Sequence, residues 1–339
     1  MTSDVPEGLS TNRKRLAILL GVALLLAGGT FLYVNFFLWL PVGSGPAGPE
    51  VPSESYGHVW TTRPVVMLGL GDSITAGFGA EPGHSFFDRL AENPPDEFPA
   101  MRGVCLSAVF PALTVRNWAV NGTTSIDCLE DQVSAVEPFP KDTFGLVILT
   151  TGGNDLIHMY GRIPPREGAM YGATIEQARP WIANYEKRLD RILTEIEDKF
   201  PGGCTIFAGN IYDPSDGLGD PSVVGLPDWP DMLEVLAAYN VCIERCAEGH
   251  PKVELVDIHG TFLGHGVACR RFGNEHFDRD DPHYWYYVNI EDPNDRGHDA
   301  LRRLFLGEIA NRLAENMTAL PQEASSVLRI PGTSYGAIR

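Results

Sequence analysis

Between residues 63 and 318 short apolar runs alternate with longer amphipathic ones, and this alternation most constrains the fold. The runs at 65–70, 113–120, 146–151, 204–210 and 253–258 read as strands. The stretches at 86–91, 125–136, 180–200, 232–248 and 297–315 read as helices, with Pro180 acceptable in a first turn. The pattern predicts an α/β fold: a mostly parallel sheet covered by helices on both faces. In such sheets ligands bind beyond the carboxyl ends of the strands. The residues just after each strand are therefore the ones to search for chemistry.

A second feature sets the compartment. Arg13, Lys14 and Arg15 precede an uncharged run at 16–40, 25 residues long. As a helix it would measure about 37 Å, enough to span a bilayer core with some tilt. The preceding basic cluster predicts a cytoplasmic segment at 1–15, a transmembrane signal-anchor at 16–40 and an extracytoplasmic domain, single-pass in the cell membrane. A cleaved signal peptide competes, but its apolar region is usually shorter and the Val42-Gly43-Ser44-Gly45 stretch is a poor cleavage site. Residues 41–62, rich in Pro, Gly and Ser, read as a stalk, 63–318 as the folded domain and 319–339 as a flexible tail.

Acidic side chains outnumber basic ones by 44 to 26, for a net charge of −18. That balance excludes a basic nucleic-acid face and a polybasic lipid dock. Six cysteines (Cys105, Cys128, Cys204, Cys242, Cys246 and Cys269) follow the apolar run. An exported domain permits up to three disulfides among them; buried thiols are the alternative. No paired CxxC motif indicates zinc, and the acidic cluster near 280 lacks EF-hand spacing, so no metal site is expected.

Three strand ends carry chemistry. Gly71-Asp72-Ser73-Ile74-Thr75 follows the first strand, where Ser73 is either a nucleophile or part of a helix cap. Asn121-Gly122 follows the second, where Gly122 offers a backbone N–H or simply turns the chain. Gly152-Gly153-Asn154-Asp155 follows the third, where Asn154 can donate to a developing oxyanion. A GxSxG elbow is absent at Ser73, so an ordinary α/β-hydrolase is not indicated.

GDSIT, NWAVNG and GGND, in this order, resemble the blocks of the SGNH (GDSL) hydrolase family. The resemblance spans roughly residues 65–312, in blocks. It implies a flavodoxin-like three-layer α/β/α sandwich and ester hydrolysis without a cofactor. By position it implies Ser73 as nucleophile, with an oxyanion hole made by the N–H groups of Ser73 and Gly122 and the Asn154 amide.

The fourth block departs from the family. Where the family places Asp-x-x-His ahead of the last helix, this chain reads Asn289-Ile290-Glu291-Asp292-Pro293. Taken literally, Asn289 stands for the acid and Asp292 for the base, and a carboxylate needs a large pKa rise to replace imidazole near neutral pH. Asp280-Asp281-Pro282-His283 offers an intact Asp-x-x-His nearby. The expectation is therefore His283 as general base and Asp280 as its orienter. His298 ranks second, with His259, His265 and His276 behind. Candidate substrate contacts are Asp72 and, in the loop at 157–173, His158, Tyr160 and Tyr171. The expected substrate is an ester-bearing small molecule, lipid or acylated carbohydrate. The alternatives are an envelope polysaccharide O-acyltransferase and an inactive, glycan-binding member of the fold.

Overall fold

The computed structural model describes residues 8–34 and 40–318. Five parallel strands form one sheet: β1 (Val65–Gly71), β2 (Leu113–Asn117), β3 (Phe144–Thr150), β4 (Cys204–Gly209) and β5 (Val253–Val256). Their order is β2-β1-β3-β4-β5. The helices are α1 (Gly8–Tyr33), α2 (Ser73–Ala76), α3 (Phe86–Ala91), α4 (Leu106–Val109), α5 (Ser125–Asp127), α6 (Gly153–Ile157), α7 (Ile175–Lys199), α8 (Met232–Gly249), α9 (Ile258–Phe262) and α10 (Asp295–Thr318).

Alternate residues of the central strands feed two cores, as a pleated strand buried on both faces requires. Val66, Leu68, Leu70, Val147 and Leu149 pack with Ile192 and Ile196 of α7 and Ile243 of α8. Val65, Met67, Leu146 and Ile148 pack with Phe86 of α3 and with Leu301 and Phe305 of α10. The result is the expected three-layer α/β/α sandwich. In this strand order the chain leaves β1 for one edge and returns through β3 on the other side. The crevice beyond the β1 and β3 ends is the place where such sheets bind ligands.

Local chemistry explains where two helices differ from expectation. α7 begins at Ile175 rather than Pro180, because Thr174 and Gln177 close a reciprocal capping box ahead of it. The helical stretch after β2 is broken into α5, a π-turn at Cys128–Gln132 and a 3₁₀ turn.

The N-terminal segments and the cysteines differ in how they meet expectation. Within α1, Arg13–Tyr33 is apolar and long enough to cross a membrane, and none of it is buried against the domain. Residues 35–39 of the expected span and the expected tail at 319–339 lie outside the described residues. The segment expected as a free stalk is instead a strap bound to the domain. Tyr56 and Trp60 are buried, the Tyr56 hydroxyl donates to Leu306 O at 2.7 Å, and Ala47 N donates to Asp299 Oδ2 at 2.9 Å. Pro and Gly suit a linker, but the two aromatics need burial and α10 supplies it. Disulfides do not form either: all six cysteines are free, buried thiols.

Candidate active site

The end of β1 is a conformational bottleneck. Gly71 has φ +107, and a β-carbon there would collide with the Thr150 carbonyl of β3, so only glycine fits. The side-chain amide of Gln132 grips both sides of Gly71, accepting from its N–H at 2.7 Å and donating to its carbonyl at 2.8 Å. Gln132 lies in the π-turn, a local widening of the helix often found at functional sites. Nothing in the local sequence marks it, because its partner lies 61 residues away.

Asp72 caps α2 by accepting from Ile74 N at 3.1 Å and also accepts from the Thr150 hydroxyl at 2.7 Å. Burial, the largest effect, raises its pKa to about 7 against those two hydrogen bonds. Ser73 follows as the first residue of α2, where backbone N–H groups have no intrahelical acceptor. Gly122 is exposed with φ +81. Asn154 donates one amide hydrogen to Thr123 O at 2.9 Å, which fixes the side chain. Asp155 is fully buried and accepts from Ser125 N at 2.7 Å and Ser125 Oγ at 2.6 Å, tying the third strand-end loop to the second. Arg188 approaches it at 3.4 Å.

The residue brought to Ser73 is Asp292. Its carboxylate is 3 % exposed and faces the Ser73 hydroxyl, while Asn289 Nδ2 donates to its Oδ2 at 2.6 Å. Burial raises the Asp292 pKa; the contacts with Ser73 and Asn289 lower it, and the net direction is up. Its Oδ1 is buried without an aligned donor, so the hydroxyl lies close but its hydrogen bond is not yet formed. Glu291 is raised to about 7 by burial and then by the Asp292 charge, and its carboxylate accepts from the Tyr160 hydroxyl. Between Asn289 and Glu291, Ile290 has φ +72, a strained conformation for a β-branched residue. Met159 and Tyr160 also lie at positive φ, 65° and 47°. Positive φ thus occurs on both sides of the Tyr160–Glu291 contact.

A cavity of about 150 Å³ opens from Ser73. Asp72, Asn154, Tyr160, Asn289 and Glu291 line its polar end, and Leu156, Tyr171, Leu226, Trp229 and Leu236 its apolar depth. Among the described residues, no histidine lines it. His283 Nδ1 pairs with Asp281 rather than with Asp280, and its ring packs on Gly43 of the strap. The Asp280 N–H is held by Asp278 Oδ1 at 2.8 Å. His298 is fully buried; its Nδ1 accepts from Phe86 N at 3.2 Å and its Nε2 donates to Phe78 O at 2.9 Å. That bonding spends both ring nitrogens, and burial lowers its pKa to about 4. His259 bonds to Ile211 O at 2.9 Å, and His265 stacks flat on Trp285. His158 is half-buried outside the cavity. Asp292 directly precedes Pro293 and the final helix, the position at which the resemblance implies the base.

The chain matches the GDSL-like Lipase/Acylhydrolase family over residues 70–300. It is 28 % identical over 139 residues to YpmR, an uncharacterized protein of Bacillus subtilis, covering 41 % of this chain and 48 % of that one. The chain thus spans about half the length of that relative. An extracellular lipase of Streptomyces rimosus shares 19 % identity, with TM-score 0.46, over 72 % of this chain and 98 % of its own. An acetyl-xylooligosaccharide esterase, Axe2 of Geobacillus, shares 19 % with TM-score 0.43, over 74 % and 94 %. The match over 70–300 covers well over half of the sequence and contains all three strand-end motifs, and on that ground the chain belongs to the GDSL-like lipase/acylhydrolase family of ester-hydrolysing enzymes.

Proposed function

We propose that this protein is a membrane-anchored serine esterase in which Ser73 is the nucleophile and Asp292, rather than an imidazole, carries the proton. The observation behind this reading is the Asn289–Asp292 pair. A histidine base needs an acceptor behind its far N–H, hence a carboxylate. A carboxylate base needs a donor, and Asn289 supplies one at 2.6 Å. The Asn289 amide thus orients a carboxylate base as a carboxylate orients an imidazole.

In this mechanism Asp292 accepts the Ser73 proton as Oγ attacks the ester carbonyl carbon. The carbonyl oxygen takes the electron pair and is held by Ser73 N–H, Gly122 N–H and the free Asn154 amide hydrogen. Collapse breaks the C–O bond, and the leaving alkoxide takes the proton from Asp292. Water then repeats the sequence on the acyl-enzyme and releases the acid. Burial, which raises the Asp292 pKa, makes this carboxylate a stronger base than a solvated one. The apolar depth of the cavity favours an aliphatic acyl group. The apolar helix α1 supports anchoring, and Arg13, Lys14 and Arg15 ahead of its apolar part support an extracytoplasmic domain. The test is incubation of the full chain with a fluorophosphonate and with p-nitrophenyl acetate. Covalent labelling and hydrolysis should both vanish in Ser73→Ala. A wild-type protein that neither labels nor hydrolyses would favour the inactive, ligand-binding alternative.

A further inference from the structure

Several large apolar side chains close to site residues in sequence are exposed among the described residues. Val288 is 85 % exposed and immediately precedes Asn289; Phe78 is 41 % exposed and meets the Tyr287 ring edge-on, with centroids 5.8 Å apart. Met159 and Val120 are also exposed, each within two residues of a site residue, Tyr160 and Gly122. The Phe78–Tyr287 and Tyr160–Glu291 contacts bring three segments with exposed apolar groups together beside the site, where scattered single residues would need no explanation.

The strap connects this apolar rim to α1. Tyr284 N donates to Pro41 O at 2.8 Å, three residues before Tyr287. His283 packs on Gly43, and the Arg296 guanidinium donates to Ser44 O at 2.9 Å and Gly45 O at 3.0 Å. The chain from α1 thus joins the domain beside the segment that carries Tyr287, Val288 and Asp292. Only residues 35–39 separate the described end of that helix from Leu40. Fully extended, such a connection reaches about 20 Å.

We infer that the rim of Phe78, Met159, Tyr287 and Val288 docks on the lipid surface in which α1 is embedded, so that the site opens onto the bilayer and takes membrane-borne acyl esters. The inference rests on α1 being a membrane span. A short tether favours lipid over a protein partner because it holds the rim at the surface wherever the anchor goes. The net charge of −18 opposes anionic lipid, so the fitting surface is zwitterionic.

The test uses the full chain in phosphatidylcholine vesicles. Since the six native thiols are buried, Val288→Cys can be labelled selectively with an environment-sensitive fluorophore, with Arg191→Cys on α7 as the control. Docking predicts a blue-shifted emission at 288 and several-fold stronger quenching by brominated lipid than at 191. Vesicle-bound protein whose label at 288 stays as water-exposed as that at 191 overturns the rim while leaving the anchor standing. Protein that does not float with vesicles overturns the anchor and the rim together. In a second arm, Val288→Asp should lower hydrolysis of a vesicle-borne ester about tenfold and leave soluble p-nitrophenyl acetate unaffected. Equal effects on both substrates, including none, overturn the proposal. The fluorescence arm decides the question even if Ser73 proves unreactive.

Discussion

The two halves of the site are built in different ways. The first half consists of strand ends. β1 delivers Ser73, β3 delivers Asn154, and Asp155, Gln132 and Thr150 lock these turns together with short buried hydrogen bonds. The second half is a long irregular segment between α9 and α10, bearing Asn289, Glu291 and Asp292, with Ile290 strained among them. In the first half, backbone geometry dictates residue identity. In the second, packing against distant elements dictates backbone geometry. Residue type is therefore less constrained in the second half, and here the carboxylate of Asp292, not an imidazole, faces Ser73.

The largest effect should separate the two candidate bases within that second half. Asp292→Asn should reduce kcat/KM for p-nitrophenyl acetate by about 10³–10⁴, since the amide cannot accept the serine proton. His283→Ala should change it less than about threefold, because that ring faces the strap. If the two variants reverse this order, proton transfer belongs to the imidazole and the comparison of halves fails. The pH profile adds a second readout. Asp292 must be ionised to act, and its raised pKa means that activity should decline on acidification earlier than for an ordinary carboxylate.

The same contrast explains what was legible in the sequence. All five strands were readable, because continuous β-forming runs between turn residues admit few other structures. Ser73, Gly122 and Asn154 are legible because each lies within five residues of a strand's carboxyl end. The strap was misread because Pro and Gly dominate its composition, although Tyr56 and Trp60 were visible as groups needing burial. The sequence favours His283 as base on imidazole chemistry, whereas position favours Asp292. Gln132 had no local signature, since its role depends on a π-turn and on a partner in another strand.

A smaller effect probes the rigid half. The Asp72 pKa is raised by burial from 3.8 to about 7. A carboxyl with a raised folded-state pKa contributes stability that is complete below its unfolded pKa and is lost as pH rises through the folded one. The contribution should therefore disappear between about pH 4 and pH 7, amounting to on the order of 4 kcal/mol. Asp72→Asn keeps an acceptor for Ile74 N and the Thr150 hydroxyl without the ionisation. The variant should gain on the wild type in urea melts at pH 8 and lose that advantage at pH 4. A stability difference independent of pH would mean that Asp72 is not held neutral by its surroundings.

The smallest effect probes the strain in the irregular half. Ile290→Ala and Ile290→Gly both remove the half-buried side chain, so they share the loss of apolar contact. They differ in the cost of φ +72, which alanine bears and glycine does not. Elsewhere glycine is the less stable of the two by about 0.5–1 kcal/mol, because it loses more backbone freedom on folding. At position 290 the order should invert, with Ile290→Gly more stable by about 1 kcal/mol, or about 2–4 °C in Tm for a domain of this size. If alanine is equal or better, the left-handed residue between Asn289 and Glu291 is not strained, and the two halves of the site do not differ in how their backbone is held.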